Sequence, residues 1–221
     1  MSLTVVVTGA NRGIGLEICR CYLGSGAKVF AICRSRSVEL DALGVNVIDS
    51  IDVANADSIE KLRGKLKGES IDVLVNNAGV LRSESLGNMD FEDIQLQIEV
   101  NALGPLRMTQ ALLNQLSGSA KIALITSRMG SISDNTSGGY YGYRMSKAAL
   151  NAAGMSLAQD LKDKGVAVGI FHPGFVKTGM VNFAGDIPAA EAAARLVQRI
   201  DELNMDNTGT FWHANGEVLP W

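Results

Sequence analysis

The stretch LTVVVTGANRGIGLEICRCYL, residues 3–23, runs from an apolar, β-rich segment through a glycine loop straight into a helical pattern. The strand, LTVVVT (3–8), does not alternate apolar with polar, so it belongs inside a sheet covered on both faces. The loop places Gly9, Gly13 and Gly15 in a G-x-x-x-G-x-G spacing. Glycine allows a tight turn and lets the backbone approach a phosphate closely. The helix that follows offers unpaired N–H groups and the positive end of its dipole to an anion. One stretch therefore constrains both the architecture and the ligand. It expects a dinucleotide held by Gly9, Asn11, Arg12, Gly13, Ile14 and Gly15.

The rest of the chain repeats this alternation. Strands are expected at 28–33, 46–52, 71–77, 121–126, 166–171 and 209–213. Helical patterns cover 38–43, 56–67, 91–116, 143–164 and 189–203. Apolar strands alternating with helices predict a doubly wound α/β fold of Rossmann type. About seven strands would form a parallel sheet with helices on both faces. No linker, low-complexity tract or internal repeat interrupts residues 1–221, so one domain is expected. Ligands of such sheets bind beyond the carboxyl ends of the strands, where strand order reverses. The residues just after each strand are therefore the informative ones.

Composition excludes several other functions. Net charge is −3, which gives no general attraction to nucleic acid or to an anionic membrane. No apolar run is long enough to span a bilayer. The N-terminal residues lack the pattern of a signal peptide, which points to the cytoplasm. The cysteines, Cys19, Cys21 and Cys33, lie inside apolar patterns and read as small hydrophobes in a reducing compartment. His172 and His213 have no spacing that suits a metal or a triad, so no metal site is expected. His172 reads as structural.

The end of the second strand bears on which dinucleotide is bound. An acidic residue there would take the ribose hydroxyls of NAD. Here the chain reads Cys33-Arg34-Ser35-Arg36, with no carboxylate before Glu39. Arg34 suits a 2′-phosphate through a forked, charge-assisted contact, and Arg12 could face the same group. This predicts NADP(H) rather than NAD(H).

Three tyrosines stand within YYGY, residues 140–143. Of these, Tyr143 has a lysine four residues on, Lys147, on the same helical face. A free phenol titrates near pH ~10. A unit charge about 4 Å away, at an effective dielectric of about 20, is worth about 4 kcal/mol. That would bring the phenol down toward neutrality, where a general acid–base works.

Taken in order, Thr8-Gly9…Gly13-Ile14-Gly15, Asn76-Asn77-Ala78-Gly79, Ser127, Tyr143-x-x-x-Lys147 and Pro173-Gly174 resemble the short-chain dehydrogenase/reductase family. The likeness covers residues 3 to about 180. The tail, with Gly209-Thr210-Phe211 and the closing GEVLPW, resembles the carbonyl-reductase subgroup that includes C-factor-like proteins. The resemblance implies that Tyr143 is the acid–base and that Ser127 bonds the substrate carbonyl. It implies that Lys147 lowers the phenol's pKa and holds the nicotinamide ribose, as a cofactor contact alongside Tyr143. Asn101 would complete the set by positioning a water behind the lysine. Asp52 and Val53 would contact the adenine, and Asn76, Ala78 and Gly79 would line the cofactor. Pro173, Gly174, Val176 and Thr178 would close over the nicotinamide.

These roles imply reduction of a small-molecule ketone or aldehyde with NADP(H). Two other readings stay open: a dinucleotide-binding regulatory protein with little turnover, and an NAD-linked alcohol dehydrogenase. The family's habit of pairing through the helices that begin near Phe91 and Tyr143 implies a homodimer or homotetramer. Two departures stand out. Ser127 and Tyr143 lie farther apart than the family usually places them, with Gly130 to Gly139 absorbing the difference. The segment after Thr178 is short, which suggests an open site, a bulky or loosely recognised substrate, or a weak enzyme. Ser131 and Ser133 are alternative serines, and Tyr140 or Tyr141 is a candidate pocket wall.

Overall fold

The computed structural model describes residues 2–221. It contains the seven-stranded parallel sheet expected from the sequence, with helices on both faces. In chain order the elements are β1 (Thr4–Thr8), α1 (Gly13–Gly24), β2 (Lys28–Ile32), α2 (Val38–Asp41), β3 (Asn46–Ile48), α3 (Ala56–Lys65) and β4 (Ile71–Asn76). There follow α4 (Phe91–Ile98), α5 (Gly104–Leu112), β5 (Leu116–Ile125), α6 (Tyr141–Asp160) and β6 (Ala167–His172). The chain then forms β7 (Val176–Lys177), β8 (Ile187–Pro188), α7 (Ala189–Glu202) and β9 (Phe211–His213).

The sheet order is β3-β2-β1-β4-β5-β6-β9. Strand order reverses between β1 and β4, whose register pairs Val5 with Val73 and Val7 with Val75. Each strand serves two cores. Val6 and Leu74 pack with α3, α5 and α6 through residues such as Leu62, Met108 and Leu150. Val5, Val7 and Val75 pack on the opposite face against α1 and α7. All five residues of β1 are buried, which explains its unbroken apolar reading.

The helices form for local reasons. On α7 the buried residues Ala192, Ala193, Leu196 and Ile200 make one stripe at helical spacing. Ser37 caps α2 through Leu40 N, Asn55 caps α3 through Ser58 N, and Asp90 caps α4 through Glu92 N and Asp93 N.

Three regions differ from expectation. The helix expected over 91–116 is broken by a π-helical turn at Glu99–Leu103. Pro105 lacks the N–H that a regular ladder would use, and a wide turn at that point places Asn101 in the interior. Second, β5 begins at Leu116 rather than near residue 121, with an irregularity against β4 between Ile71 and Val73. Third, β7 and β8 form a separate two-stranded pair that pinches off residues 178–186 as a flap. A Cβ on Gly185 would stand 2.3 Å from the Val176 carbonyl carbon, so only glycine lets the two limbs close. Beyond β9 the tail turns back, and Trp212 bridges Val218 in antiparallel fashion along that edge of the sheet.

Candidate active site

The carboxyl ends of β1, β2 and β4, with the segment after β3, open into a cleft of about 1040 Å³. Its floor is the glycine loop. Gly9 and Gly13 take left-handed φ values of +65° and +56°, where a side chain would be strained. A Cβ on Gly15 would lie 2.4 Å from the Gly9 carbonyl oxygen and 2.5 Å from Asn77 Nδ2, so this glycine lets α1 pack against its own loop.

Asn77 ties the loop to β4. Its Nδ2 donates to the carbonyls of Thr8 (3.0 Å) and Gly9 (3.2 Å). Thr8 Oγ1 in turn accepts from the N–H groups of Asn77 and Ala78, each at 3.0 Å. Sequence reading gave Asn77 no role of its own. The Asn-Asn doublet was the available signal, but which asparagine faces the loop depends on strand register. The other, Asn76, is 2% exposed with both amide atoms unpartnered among the described residues.

The N-terminus of α1 has no side-chain cap and no acidic residue in its first turn. Its N–H groups therefore remain available to an anion. Asn11, Arg12, Gly13, Ile14, Arg34, Asp52, Val53, Ala78, Gly79 and Thr178 all line the cleft with Gly9. Arg34 is exposed, and its guanidinium stands 4.0 Å from Asp52. Arg36 turns away to Asp41, at 2.7 Å. The uncapped helix end, the glycines and the cationic rim fit a dinucleotide that carries phosphates. Of the expected cofactor residues, Gly15, Asn76, Tyr143, Lys147, Pro173, Gly174 and Val176 lie outside the cleft lining. Thr178 reaches over the glycine loop: its Cγ2 is 3.4 Å from where a Cβ on Gly13 would stand.

A buried polar cluster adjoins the cleft at Gly79. A Cβ there would lie 3.2 Å from Asn101 Oδ1 and 3.8 Å from Lys147 Nζ. Asn101, Ser127, Tyr143 and Lys147 are 0%, 8%, 8% and 4% exposed, so four polar side chains meet in one desolvated place. They come from the π-helical turn, the end of β5 and the first turns of α6. Asn101 accepts from Val80 N (2.8 Å) and donates to Val80 O (2.8 Å) and Ser146 Oγ (3.0 Å). Ser127 Oγ accepts from Met129 N at 3.1 Å, and its proton faces the Tyr143 phenol. Lys147 Nζ donates to Ile125 O at 2.9 Å. That is one bond for a group with three donors. A Cβ on Gly130 would come 2.8 Å from the Lys147 carbonyl carbon, so this glycine lets the Ser127 turn press against α6. Ser131 and Ser133 face each other (3.4 Å), and Ser133 Oγ donates to the Trp221 carbonyl (2.6 Å).

The electrostatics correct one expectation. Burial pushes the Tyr143 phenol up to about 12, and a hydrogen bond with Ser127 offsets part of that rise. Burial also pulls Lys147 down to about 8. The lysine was expected to lower the phenol toward neutrality. Its Nζ stands 5.7 Å from the centre of the tyrosine ring. Desolvation, which favours the neutral form of each group, outweighs their mutual charge effect. Nearby, His172 is held down at about 3, first by burial and then by the charges of His213, Arg128 and Lys147. It stays neutral, edge-on to His213 at 5.0 Å between ring centres.

A family profile described as short chain dehydrogenase matches residues 3–188. The chain is 41% identical to 1-hydroxy-2-glutathionyl-2-methyl-3-butene dehydrogenase of Rhodococcus sp. (strain AD45), over 99% of each chain. It is 44% identical to the C-signal of Myxococcus xanthus, over 68% of this chain and 93% of that one. Among solved structures, NADPH-bound carbonyl reductase from chicken fatty liver matches with a TM-score of 0.90 and 30% identity, covering 100% of both chains.

Proposed function

The chain belongs to the short-chain dehydrogenase family of oxidoreductases that use a nicotinamide dinucleotide, and on that premise we propose that it reduces a ketone or aldehyde with NADPH. The carrying observation is the desolvated cluster of Ser127, Tyr143, Lys147 and Asn101 beside Gly79 of the cleft. The cofactor, when bound, supplies the hydride. The protein's own residues orient the carbonyl and provide the proton. Ser127 and Tyr143 would donate to the oxygen on which negative charge develops. A phenol pushed up to about 12 keeps its proton at neutral pH, which suits a general acid in the reductive direction. Lys147 would hold the ribose through its two remaining N–H donors, and Asn101 fixes Val80 and Ser146 behind it. Arg34 and Arg12, on the cleft rim, would take a 2′-phosphate and so favour NADPH over NADH.

The relative named for a glutathionyl compound supports a bulky alcohol substrate, and the carbonyl reductase supports a carbonyl one. The match to the C-signal favours a second reading, a dinucleotide-binding signalling protein with little turnover. Copies would pair through the outer faces of α4 and α6, where Phe91 and Met145 are exposed. A monomeric mass by light scattering would reject that pairing.

The test is titration with NADPH and with NADH, then turnover on a panel of ketones, aldehydes and quinones. Tight NADPH binding with turnover supports the reductase. Tight binding with none across the panel turns the balance to the second reading.

A further inference from the structure

The catalytic helix begins without a cap of its own. Tyr140, the residue before α6, is in the left-handed region at φ +52° and makes no side-chain cap, and the first turn of α6 holds no acidic residue. A helix start normally satisfies the N–H of its second or third residue with a capping oxygen. Here those residues are Gly142 and Tyr143.

The missing acceptor arrives from a distant segment. Glu84, between β4 and α4, is 4% exposed. Its Oε2 accepts from Gly142 N at 3.2 Å, and its backbone carbonyl accepts from Tyr140 N at 2.9 Å. Its other carboxylate oxygen accepts from Gln97 Nε2, on α4. Gln97 is fully buried and accepts in turn from Arg82 N at 2.9 Å. Gly142 is built into the same arrangement. A Cβ there would come 2.5 Å from Gln97 Nε2, 2.9 Å from Ile94 Cα and 3.0 Å from Glu84 Oε1.

We propose that Glu84 is a positioning residue, a cap supplied from outside the helix that fixes the first turn of α6 and so aims the Tyr143 phenol. This rests on the reductase reading of the same site. A buried carboxylate is costly unless its oxygens are bonded, and here both are. Its charge also lies at the positive end of the α6 dipole. Tyr143 is the third residue of the helix, within the turn that frays when a cap is lost. A misplacement of about 1 Å at a reacting group lowers a rate by about a hundredfold.

The test compares Glu84→Ala and Glu84→Gln with the wild type in three measurements: kcat and KM on the best substrate, NADPH affinity by fluorescence, and hydrogen exchange over residues 138–147. Glu84→Ala is expected to lower kcat at least tenfold, with KM and NADPH Kd within about twofold. Exchange should speed up over 138–147 and stay unchanged in α7. Glu84→Gln keeps an oxygen for Gly142 N but sets its NH2 against Gln97 Nε2, so it should recover part of the kcat lost in Glu84→Ala. Where Glu84→Ala does not fold, Glu84→Asp carries the same test, because its shorter carboxylate cannot span Gln97 and Gly142. A kcat within twofold of wild type, unchanged exchange over 138–147, or a parallel loss of NADPH affinity overturns the proposal. If the wild type turns nothing over, the reductase reading fails by itself, and the exchange comparison still judges the cap.

Discussion

The two ends of the ligand cleft are built by opposite means. At the Tyr143 end the polar side chains are buried, and Asn101 and Lys147 are hydrogen-bonded to rigid elements. At the Arg34 end the charges are long, exposed side chains on loops, with Arg34 4.0 Å from its nearest carboxylate, Asp52. The first arrangement tolerates little change, since each group leans on the next and desolvation magnifies any unpaired atom. The second is open to alteration, because an exposed cation pairs weakly and is screened by salt. On the proposed reading, the chemistry belongs to the stiff half and cofactor choice to the soft one.

Substitutions can break this contrast. Tyr143→Phe should lower kcat by about 10²- to 10⁴-fold and leave NADPH Kd within twofold; turnover near wild type would remove the phenol from the proton step. Lys147→Met is expected to separate activity from stability. Burial holds the lysine below its ordinary value, so the folded state binds fewer protons than the unfolded chain between pH about 8 and 10.5. The cost of burying the cation is therefore full below about 8 and is relieved as pH rises. Methionine removes that cost. The variant should melt at a higher temperature at pH 7 while losing most turnover, and a lower Tm would show that the Ile125 bond outweighs desolvation.

Two smaller effects sharpen the contrast. Arg34→Asp should shift the NADPH/NADH ratio of kcat/KM about 10- to 100-fold toward NADH, the range of one or two charge-assisted hydrogen bonds. Melting should barely change, because Arg34 is exposed; a fall of many degrees would show that the rim also supports the fold. Finally, reduction rates should hold steady below pH about 8 and decline above it as Lys147 loses its charge, while Tyr143 stays protonated to about 12. A profile flat to pH 10 would detach the lysine's charge from catalysis.

The same contrast governs what the sequence disclosed. The strand–glycine–helix start was legible because periodicity and glycine spacing are local. So was the Tyr143–Lys147 pair, since a helix brings residues four apart together. The direction of the phenol's pKa was not, because desolvation is set by everything packed around it, including Gly130 and the π-helical turn. Glu84 gave no signal either: it is one acid in a loop, and its partner Gly142 lies 58 residues further on. Asn77 was hidden in a doublet whose two members point to different places. The β7–β8 pair went unread because two-residue strands carry no period.

Strand order carries a consequence for how the chain is made. β1 lies inside the sheet, third of seven strands, and of the inner strands it waits longest in chain order for its second neighbour. β2 can cover one side of β1 once about thirty residues exist, but the other side waits for β4, with Val5 meeting Val73. Until then Val5, Val6 and Val7 keep open backbone groups within an apolar segment, the kind of edge that recruits a neighbouring chain. Such non-local parallel pairing is slow to form. The arrangement that creates the ligand cleft between β1 and β4 therefore also sets how long one edge of β1 stays open in a nascent chain.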